Sequence, residues 1–506
     1  MPSCVTRGLL HFEPLLFEQG APGRSGASLP PLDVPEADPS AQLPAAALRE
    51  APAGLPEVSE VEVARHFTRL SQWNHAIELG MYPLGSCTMK YNPKVNEAAA
   101  RLPGFAGLHP YQPEAQIQGA LRLLYELERA LCEVSGFSRV TLQPAAGAHG
   151  ELTGLMMMRA YHVAKGNPRK KVIIPDTAHG TNPASVALNG YEPVGVTTGE
   201  GGVLRPEDVE PLLGEDVAGI MVTNPNTLGL FETHLAKIAR LVHDVGGLVY
   251  LDGANLNALM GKVRPGEIGV DVMHFNLHKT FSTPHGGGGP GAGPVGVVES
   301  LVPFLPVPTV EREDASGEPG KGPIYRLDFA RPRSIGRVRS FYGNFGVLVR
   351  AFAYIRELGG PGLTQATEMA VLNANYVRAR LKDLWPPSHE ADTLHETVFS
   401  GKGLRKETGV ATLDVAKRLM DHGFHPPTMY FPLIVPEALM IEPTESEPPD
   451  ELDRFCDAMR HIHGEAATDP ELMHGAPHQT GLGRLDETRA ARKPRLRYTP
   501  DAGEER

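Results

Sequence analysis

Cysteine and tryptophan are scarce: four cysteines (Cys4, Cys87, Cys132, Cys456) and two tryptophans in 506 residues. The cysteines show neither the paired spacing of a zinc site nor the density of a disulfide scaffold, which points to a reducing compartment. No apolar run approaches the roughly 18 residues of a membrane span. The N-terminal MPSCVTRGLLHFEPLLF also lacks the pattern of a signal peptide. Positive charge is in deficit, with 48 Lys and Arg against 60 Asp and Glu. The net charge of -12 argues against nucleic acid or an anionic membrane as the main partner. A cytoplasmic protein is the expectation.

Two catalytic signatures are missing as well. There is no G-x-S-x-G nucleophile elbow to partner an oxyanion hole. There is also no phosphate loop of the GxxxxGK type: in HFNLHKTFSTPHGGGGPG (274–291) Lys279 precedes the glycines instead of following them. His274 and His278 are four apart and would share a helical face, but no Glu or Cys completes a metal set, so no metal is expected.

What is present is ordinary globular material, 41% apolar and 21% charged, in a chain long enough for two or three cores. Residues 19–58, rich in Pro, Gly and Ala, read as an extended arm, either wrapping a partner subunit or forming a disordered leader. From 116 to 131 the apolar spacing predicts a helix stopping near Ser135 and Gly136. KVIIPD (171–176), VAGIMVTNPN (217–226) and GGLVYLDGAN (246–255) read as buried strands, and HLAKIARLVHDVGG between the last two reads as an amphipathic helix. Strand, helix, strand at this spacing means a parallel sheet. Residues 307–336 look like a domain boundary or an exposed loop. The segments beyond them run helix, hairpin-like strands, helix. The expected organisation is an arm and helical segment (1–80), a large domain (81–330), a smaller C-terminal α/β domain (331–465) and a tail (466–506).

Ligands of open parallel sheets sit beyond the carboxyl ends of the strands. There the sequence places His179 after KVIIP, Thr223 after GIMV, and Asp252 and Asn255 at the end of GLVYLD. The turn QPAAGAHGE leads into a helix, so Gly147, Ala148 and His149 would offer backbone N–H groups to an anion. Each residue has an ordinary reading as a cap, a core histidine or a solvated lysine. Together they meet the needs of pyridoxal phosphate: Lys279 for a Schiff base, Asp252 for the pyridine nitrogen, His179 for the ring face, and the 147–149 turn for the phosphate.

These residues sit in longer matches. YPLGSCTMKYNP, LQPAAGAHGE, DTAHGTNPAS, LDGANLNALMG, FNLHKTFSTPHGGGGPGAGPVGV, DVAKRLMDHGFHPPTM and MIEPTESE resemble the glycine decarboxylase (P-protein) of the glycine cleavage system. The likeness is to its C-terminal half, made in some organisms as a separate subunit 2, and runs from about residue 9 to 465. It implies a fold-type-I, aminotransferase-like α/β fold: a mostly parallel central sheet flanked by helices, with a smaller C-terminal α/β domain and an N-terminal arm. It further implies a glycine dehydrogenase (decarboxylating) that uses pyridoxal 5'-phosphate. Such an enzyme releases CO2 from glycine and passes the aminomethyl group to the lipoyl arm of the H-protein, with a subunit 1 in an α2β2 heterotetramer. By similarity Lys279 is the Schiff-base lysine, Asp252 the pyridine partner, His179 the stacking ring, Ala148 and His149 lie at the phosphate, and Thr223 or Asn255 near the phenolic oxygen. His278 is a candidate to move protons with Lys279. In PLGSCTMK, Ser86, Cys87 and Thr88 would contact the glycine carboxylate, line the lipoyl channel, or form a subunit-interface loop. Rival readings are an enzyme like serine hydroxymethyltransferase or threonine aldolase, and a non-catalytic scaffolding subunit. The long arm and PTESE speak against the first, and Lys279 within its motif against the second.

Overall fold

The computed structural model describes residues 13–51, 53–199, 201–285, 291–314 and 322–498. The glycine run at 286–289, expected to bring backbone close to the cofactor or a neighbouring subunit, lies outside the described residues, as does most of the N-terminal stretch read for a signal. The chain divides into two compact units, one of Met1–Ala76, Met420–Gly423 and His474–Arg506, the other of Ile77–Leu419 and Phe424–Met473.

In the first unit the helix Glu60–Ser71 opens on a capping box in which Ser59 and Glu62 satisfy each other's backbone N–H groups. Its inner face meets the Glu13 carboxylate, which accepts from Arg69 Nη2 at 2.7 Å and lies 2.9 Å from His66 Nδ1.

The second unit is built on seven strands: β1 Arg139–Thr141, β2 Lys171–Pro175, β3 Glu192–Val196, β4 Val217–Thr223, β5 Leu248–Gly253, β6 Val272–Phe275 and β7 Val295–Val297. Their order is β1-β7-β6-β5-β4-β2-β3. Strands β3, β2, β4, β5 and β6 pair in parallel, and β7 runs antiparallel to both β6 and β1. The three strands expected from the sequence are β2, β4 and β5. The helix between the last two spans Leu235–Asp244 and buries Leu235, Ile238, Ala239 and Val242 at helical spacing. The helix Gln118–Ser135 ends where expected, on Gly136 at φ 78, a conformation glycine adopts without a Cβ clash.

Register fixes what the strand ends present. Thr223 is the partner of Asp252, and Asp252 of His274, so the three side chains leave the same face in one row. His274 thus belongs to β6 and His278 to the turn after it, and the two do not share the helical face that their spacing suggested. Buried strands read as continuous apolar runs and give no period to separate them from short helices.

The helix Gly147–Ala164 crosses this face of the sheet. Its buried side runs through Gly147, Gly150, Glu151, Gly154, Leu155 and Met158. A Cβ on Gly150 would stand 2.9 Å from His274 Cβ, and one on Gly154 2.5 Å from Tyr250 Cε2. The glycines therefore set how close the helix start comes to the strand ends.

Residues 307–336 are not a plain loop: β8 Thr309–Glu313 and β9 Ile324–Asp328 form an antiparallel pair with Val310 and Tyr325 buried. Five-residue strands with charged outer positions carry too little alternation to stand out beside Pro and Gly. The helical span Phe345–Leu381 is broken at Gly359, whose φ of 60 and ψ of -176 are not helical. Beyond it β10 Thr397–Ser400, β11 Thr428–Met429 and β12 Ala438–Ile441 form a small antiparallel sheet in the order β10-β12-β11. The helices Thr412–Asp421 and Pro449–Thr468 flank β11 and β12 in sequence as expected, while β10 was not anticipated. Among the described residues no helix is long and apolar enough to cross a membrane.

A Gly154→Val substitution puts three carbons into a space that already lacks room for one. It is expected to cost about 1–3 kcal/mol, read as a lower urea midpoint at unchanged m-value. An unchanged midpoint would show that the helix does not depend on this close approach.

Candidate active site

A narrow cleft opens beyond the carboxyl ends of β4 and β5. Lys279, Asp252, His179, Thr223, Asn255 and Ser86 all line it. Six of the residues singled out in the sequence, from five separated stretches, thus meet in one place.

Asp252 is 2% exposed, and burial opposes its charge. The opposition is overcome by the His274 and His179 rings, by Asn182 Nδ2 donating at 2.9 Å and by the Ala254 N–H donating at 3.0 Å, so its pKa falls below the ordinary carboxylate value. His274 Nε2 stands 3.2 Å from the carboxylate, and its Nδ1 is 2.9 Å from the Tyr250 hydroxyl. The aspartate at the strand end is therefore an ionised group held in place.

His179 is oriented from behind. Its backbone N–H donates to Thr223 Oγ1 at 3.1 Å, and its Nδ1 lies 2.9 Å from Thr181 Oγ1. The Thr181 hydroxyl donates its one hydrogen to buried Glu151 at 2.6 Å. The short contact at Nδ1 then makes that nitrogen the donor, in preference to accepting the longer 3.4 Å approach of the Thr181 N–H. Phe431 meets the ring edge-on at 6.2 Å. Asn182, Thr181 and Glu151 were assigned no role in the sequence, although the first two lie in DTAHGTNPAS and Glu151 ends LQPAAGAHGE.

Lys279 Nζ donates to the carbonyl of Ser86 at 2.6 Å. Asn255 Nδ2 is shared between Thr88 Oγ1 at 2.6 Å and Glu442 Oε1 at 2.9 Å, which commits the amide to PLGSCTMK and to MIEPTESE. Thr88 is buried and Cys87 half-buried. Burial pushes the Cys87 thiol above its ordinary pKa, against the pull of Lys279.

Gly147, Ala148 and His149 do not line this cleft. They form the first turn of the long helix, with Gly147 facing Asn276: a Cβ there would meet Asn276 Nδ2 and Oδ1 at 2.8 Å. The carbonyl of Asn276 accepts from the backbone N–H of Lys279 at 3.1 Å, so the helix start and the lysine turn are joined through one residue. His149 Nδ1 accepts from the Ala145 N–H at 3.1 Å, and its pKa is lowered by burial and by Arg339. His278 lies outside the cleft, edge-on to His285 at 5.2 Å, with its buried Nδ1 unpaired. Burial, then the charges of His285 and Lys279, lower its pKa to about 3, so it is neutral at physiological pH.

Sequence reasoning missed His395 and Glu396, which line the cleft, and Glu442 beside them. The signal for Glu396 is an acid directly flanking an apolar strand, in HETVFS, while Glu442 also lies in the quoted stretch MIEPTESE.

The residues present fit pyridoxal phosphate. The amine and the ionised carboxylate face one cleft, and beside the lysine turn the buried Asn276 Oδ1 has no partner. The helix start at Gly147 lies directly against that Asn276 side chain, so the first-turn N–H groups and the lysine turn are close neighbours.

A family model described as "Glycine dehydrogenase, C-terminal domain" matches residues 366–477. "Probable glycine dehydrogenase (decarboxylating) subunit 2" of Caldanaerobacter subterraneus subsp. tengcongensis is 56% identical over 492 residues, covering 97% of this chain and 100% of the relative. The protein of the same name from Halalkalibacterium halodurans is 57% identical over 485 residues, covering 96% and 98%. Among solved structures, an inhibitor-bound glycine decarboxylase (P-protein) of the glycine cleavage system superposes with a TM-score of 0.69 at 22% identity, over 83% of this chain and 94% of that one. An aspartate aminotransferase from Thermus thermophilus superposes at 0.54 and 15% identity, over 76% and 99%. These structural likenesses carry the fold, and it is the fold-type-I, aminotransferase-like one that the sequence implied. With more than half of its residues identical across nearly the whole length of both relatives, the chain belongs to the glycine dehydrogenase (decarboxylating) subunit 2 family.

Proposed function

We propose that this chain carries pyridoxal 5'-phosphate and decarboxylates glycine as subunit 2 of a glycine cleavage system. The observation that carries the reading is the single cleft in which the Lys279 amine, the ionised Asp252 carboxylate and the His179 ring converge. Lys279 would hold the cofactor aldehyde, Asp252 the pyridine nitrogen and His179 the ring face. Gly147, Ala148 and His149 would hold the phosphate through the helix start, and of Thr223 and Asn255 it is Thr223 that would lie toward the phenolic oxygen, since the Asn255 amide is committed to Thr88 and Glu442.

When bound, the group supplies an electron sink for the pair left on the glycine α-carbon as CO2 departs. Everything else is work for the chain. An ionised Asp252 would hold a proton on the pyridine nitrogen, since the groups around it favour its charged form. The Glu151–Thr181 chain fixes His179 Nδ1 as donor and leaves Nε2 free. His278, outside the cleft and with its pKa lowered to about 3 by burial, is neutral but a poor proton acceptor, so its surroundings do not favour the proton-moving role expected of it. The aminomethyl group passes to the lipoyl disulfide of an H-protein, which is reduced as the carbon–sulfur bond forms. The relatives' printed designation as subunit 2 supports a partner subunit 1, arranged as α2β2 in the cytoplasm.

The purified protein with added cofactor is expected to show an absorbance band at the edge of the visible. In Lys279→Ala that band is lost and glycine–CO2 exchange falls about 10²–10⁴-fold; a band that survives the substitution rejects Lys279 as the holding amine. Asp252→Asn keeps shape but not charge, so exchange is expected to fall about a hundredfold with cofactor still bound. Exchange within about twofold of the unaltered protein would exclude Asp252 as the nitrogen's partner.

A further inference from the structure

The stretch PLGSCTMK has no assigned work in the reading above, and its backbone is unusual. Ser86 and Thr88 have φ of 63 and 48. Neither is glycine, and a β-branched threonine in the left-handed region costs on the order of 1 kcal/mol or more unless its surroundings fix it. The surroundings do so. The Ser86 N–H donates to Glu396 Oε2 at 2.8 Å, and the Thr88 N–H to Glu442 Oε2 at 3.0 Å. Thr428 Oγ1 donates to the Gly85 carbonyl at 2.8 Å, and Leu84 bridges to Ile441 on β12.

The two carboxyls are neighbours by construction. Thr397 of β10 pairs with Ile441 of β12 in antiparallel register, Glu396 comes just before the one and Glu442 just after the other. They therefore occupy the next rung, 2% and 0% exposed, with His395 close by. What this assembly holds is the carbonyl of Ser86, the acceptor of the Lys279 amine.

We propose that the Ser86–Thr88 turn, tied down by Glu396 and Glu442, is the device that positions the Lys279 amine, with one proton shared between the two carboxyls. Glu396 and Glu442 are positioning residues, and the proposal rests on the assignment of Lys279 made above.

The chemistry of the surroundings supports a shared proton. Burial, then repulsion from Glu442, raises the Glu396 pKa well above its ordinary value, and burial also raises that of Glu442. The titratable groups facing the pair are Lys279, Cys87 and His395. The Cys87 thiol is kept neutral by burial, and His395, with its buried Nδ1 unpaired, is held down to about 3 by burial and by Lys279. Lys279 is the positive charge facing the pair and pulls both pKa values down, but burial outweighs it, and neither Cys87 nor His395 adds a second cation. A carboxyl with a raised folded pKa stabilises its arrangement at low pH and loses that contribution as pH rises. The turn is then at its firmest with the pair's proton in place, and loosens on the alkaline side.

The test is capture of pyridoxal phosphate by apoprotein, trapped with borohydride and read by mass spectrometry as label on the Lys279 peptide, from pH 6 to pH 9. Glu396→Gln keeps an oxygen for the Ser86 N–H and imitates the protonated acid; Glu396→Ala keeps neither. Glu396→Ala should capture about tenfold or more slowly, at an unaltered unfolding temperature. Glu396→Gln should match the unaltered protein near neutrality and gain on it as pH rises. Label at the normal rate in Glu396→Ala overturns the proposal, and so does a Gln-to-native ratio that is flat or falls with pH. If the alanine variant fails to fold, the glutamine profile decides alone. Absence of label on Lys279 in the unaltered protein would instead sink the assignment of the lysine, a result separable from either of these.

Discussion

A carboxylate as deeply buried as Asp252 must be paired, and meeting that demand shapes most of what surrounds it. Isolated burial of a charge costs several kcal/mol. Four groups offset it here: His274 from the next strand, Asn182 and His179 from the segment after β2, and the Ala254 N–H from its own turn. Each imposes a condition. The β5–β6 register must bring His274 opposite Asp252, and the turn after β2 must reach across β4. The helix Gly147–Ala164 must lie close enough for Glu151 to fasten Thr181 and Ser185. Glycine at 150 and 154 makes that approach possible.

The same site holds acids in opposite states, and environment alone separates them. Asp252 faces imidazoles and N–H donors and loses its proton readily. Burial and repulsion from Glu442 raise the pKa of Glu396 well above its ordinary value, and burial raises that of Glu442. Pairs of titratable groups pushed apart in this way mark where a fold divides acid from base roles. Here the member with the lowered pKa lies at the strand ends of the large sheet, and the pair with raised pKa values on the small sheet, with Lys279 in the cleft that both border.

The legible part of this arrangement was the part written in local pattern. Buried runs ending in polar residues located β2, β4 and β5, and with them His179, Thr223 and Asp252. Strands β1, β3, β6 and β7 are three to five residues long and leave almost no period to find. His274 was weighed as a metal ligand at helical spacing, because nothing in four apolar residues distinguishes a strand from a turn of helix. Glu396 was invisible for a different reason. An acid before an apolar strand is commonplace, and only the pairing of β10 with β12 brings it against Glu442, 46 residues away by number (442 less 396). The role of PLGSCTMK stayed open in the sequence because its contacts are to residues far along the chain, among them Asn255, Lys279, Glu396 and Glu442.

The imidazoles near Lys279 complete the electrostatic picture. His278, His285 and His395 have pKa values lowered to about 3, 4 and 3, in each case by burial first and then by neighbouring positive charge that includes Lys279. A histidine ordinarily titrates near 6.5, so all three stay neutral at physiological pH and add no cation beside the amine. A depressed folded pKa contributes stability that is present above the unfolded value and is lost as pH falls through the folded one. Acid therefore acts against the fold here, since each proton forced onto these rings must be taken where burial disfavours it. Alkali acts on the carboxyl pair in the reverse sense. The lysine turn thus sits between three neutral imidazoles and a buried carboxyl pair whose pKa values are raised, and the hydrogen bond to the Ser86 carbonyl holds the amine between them.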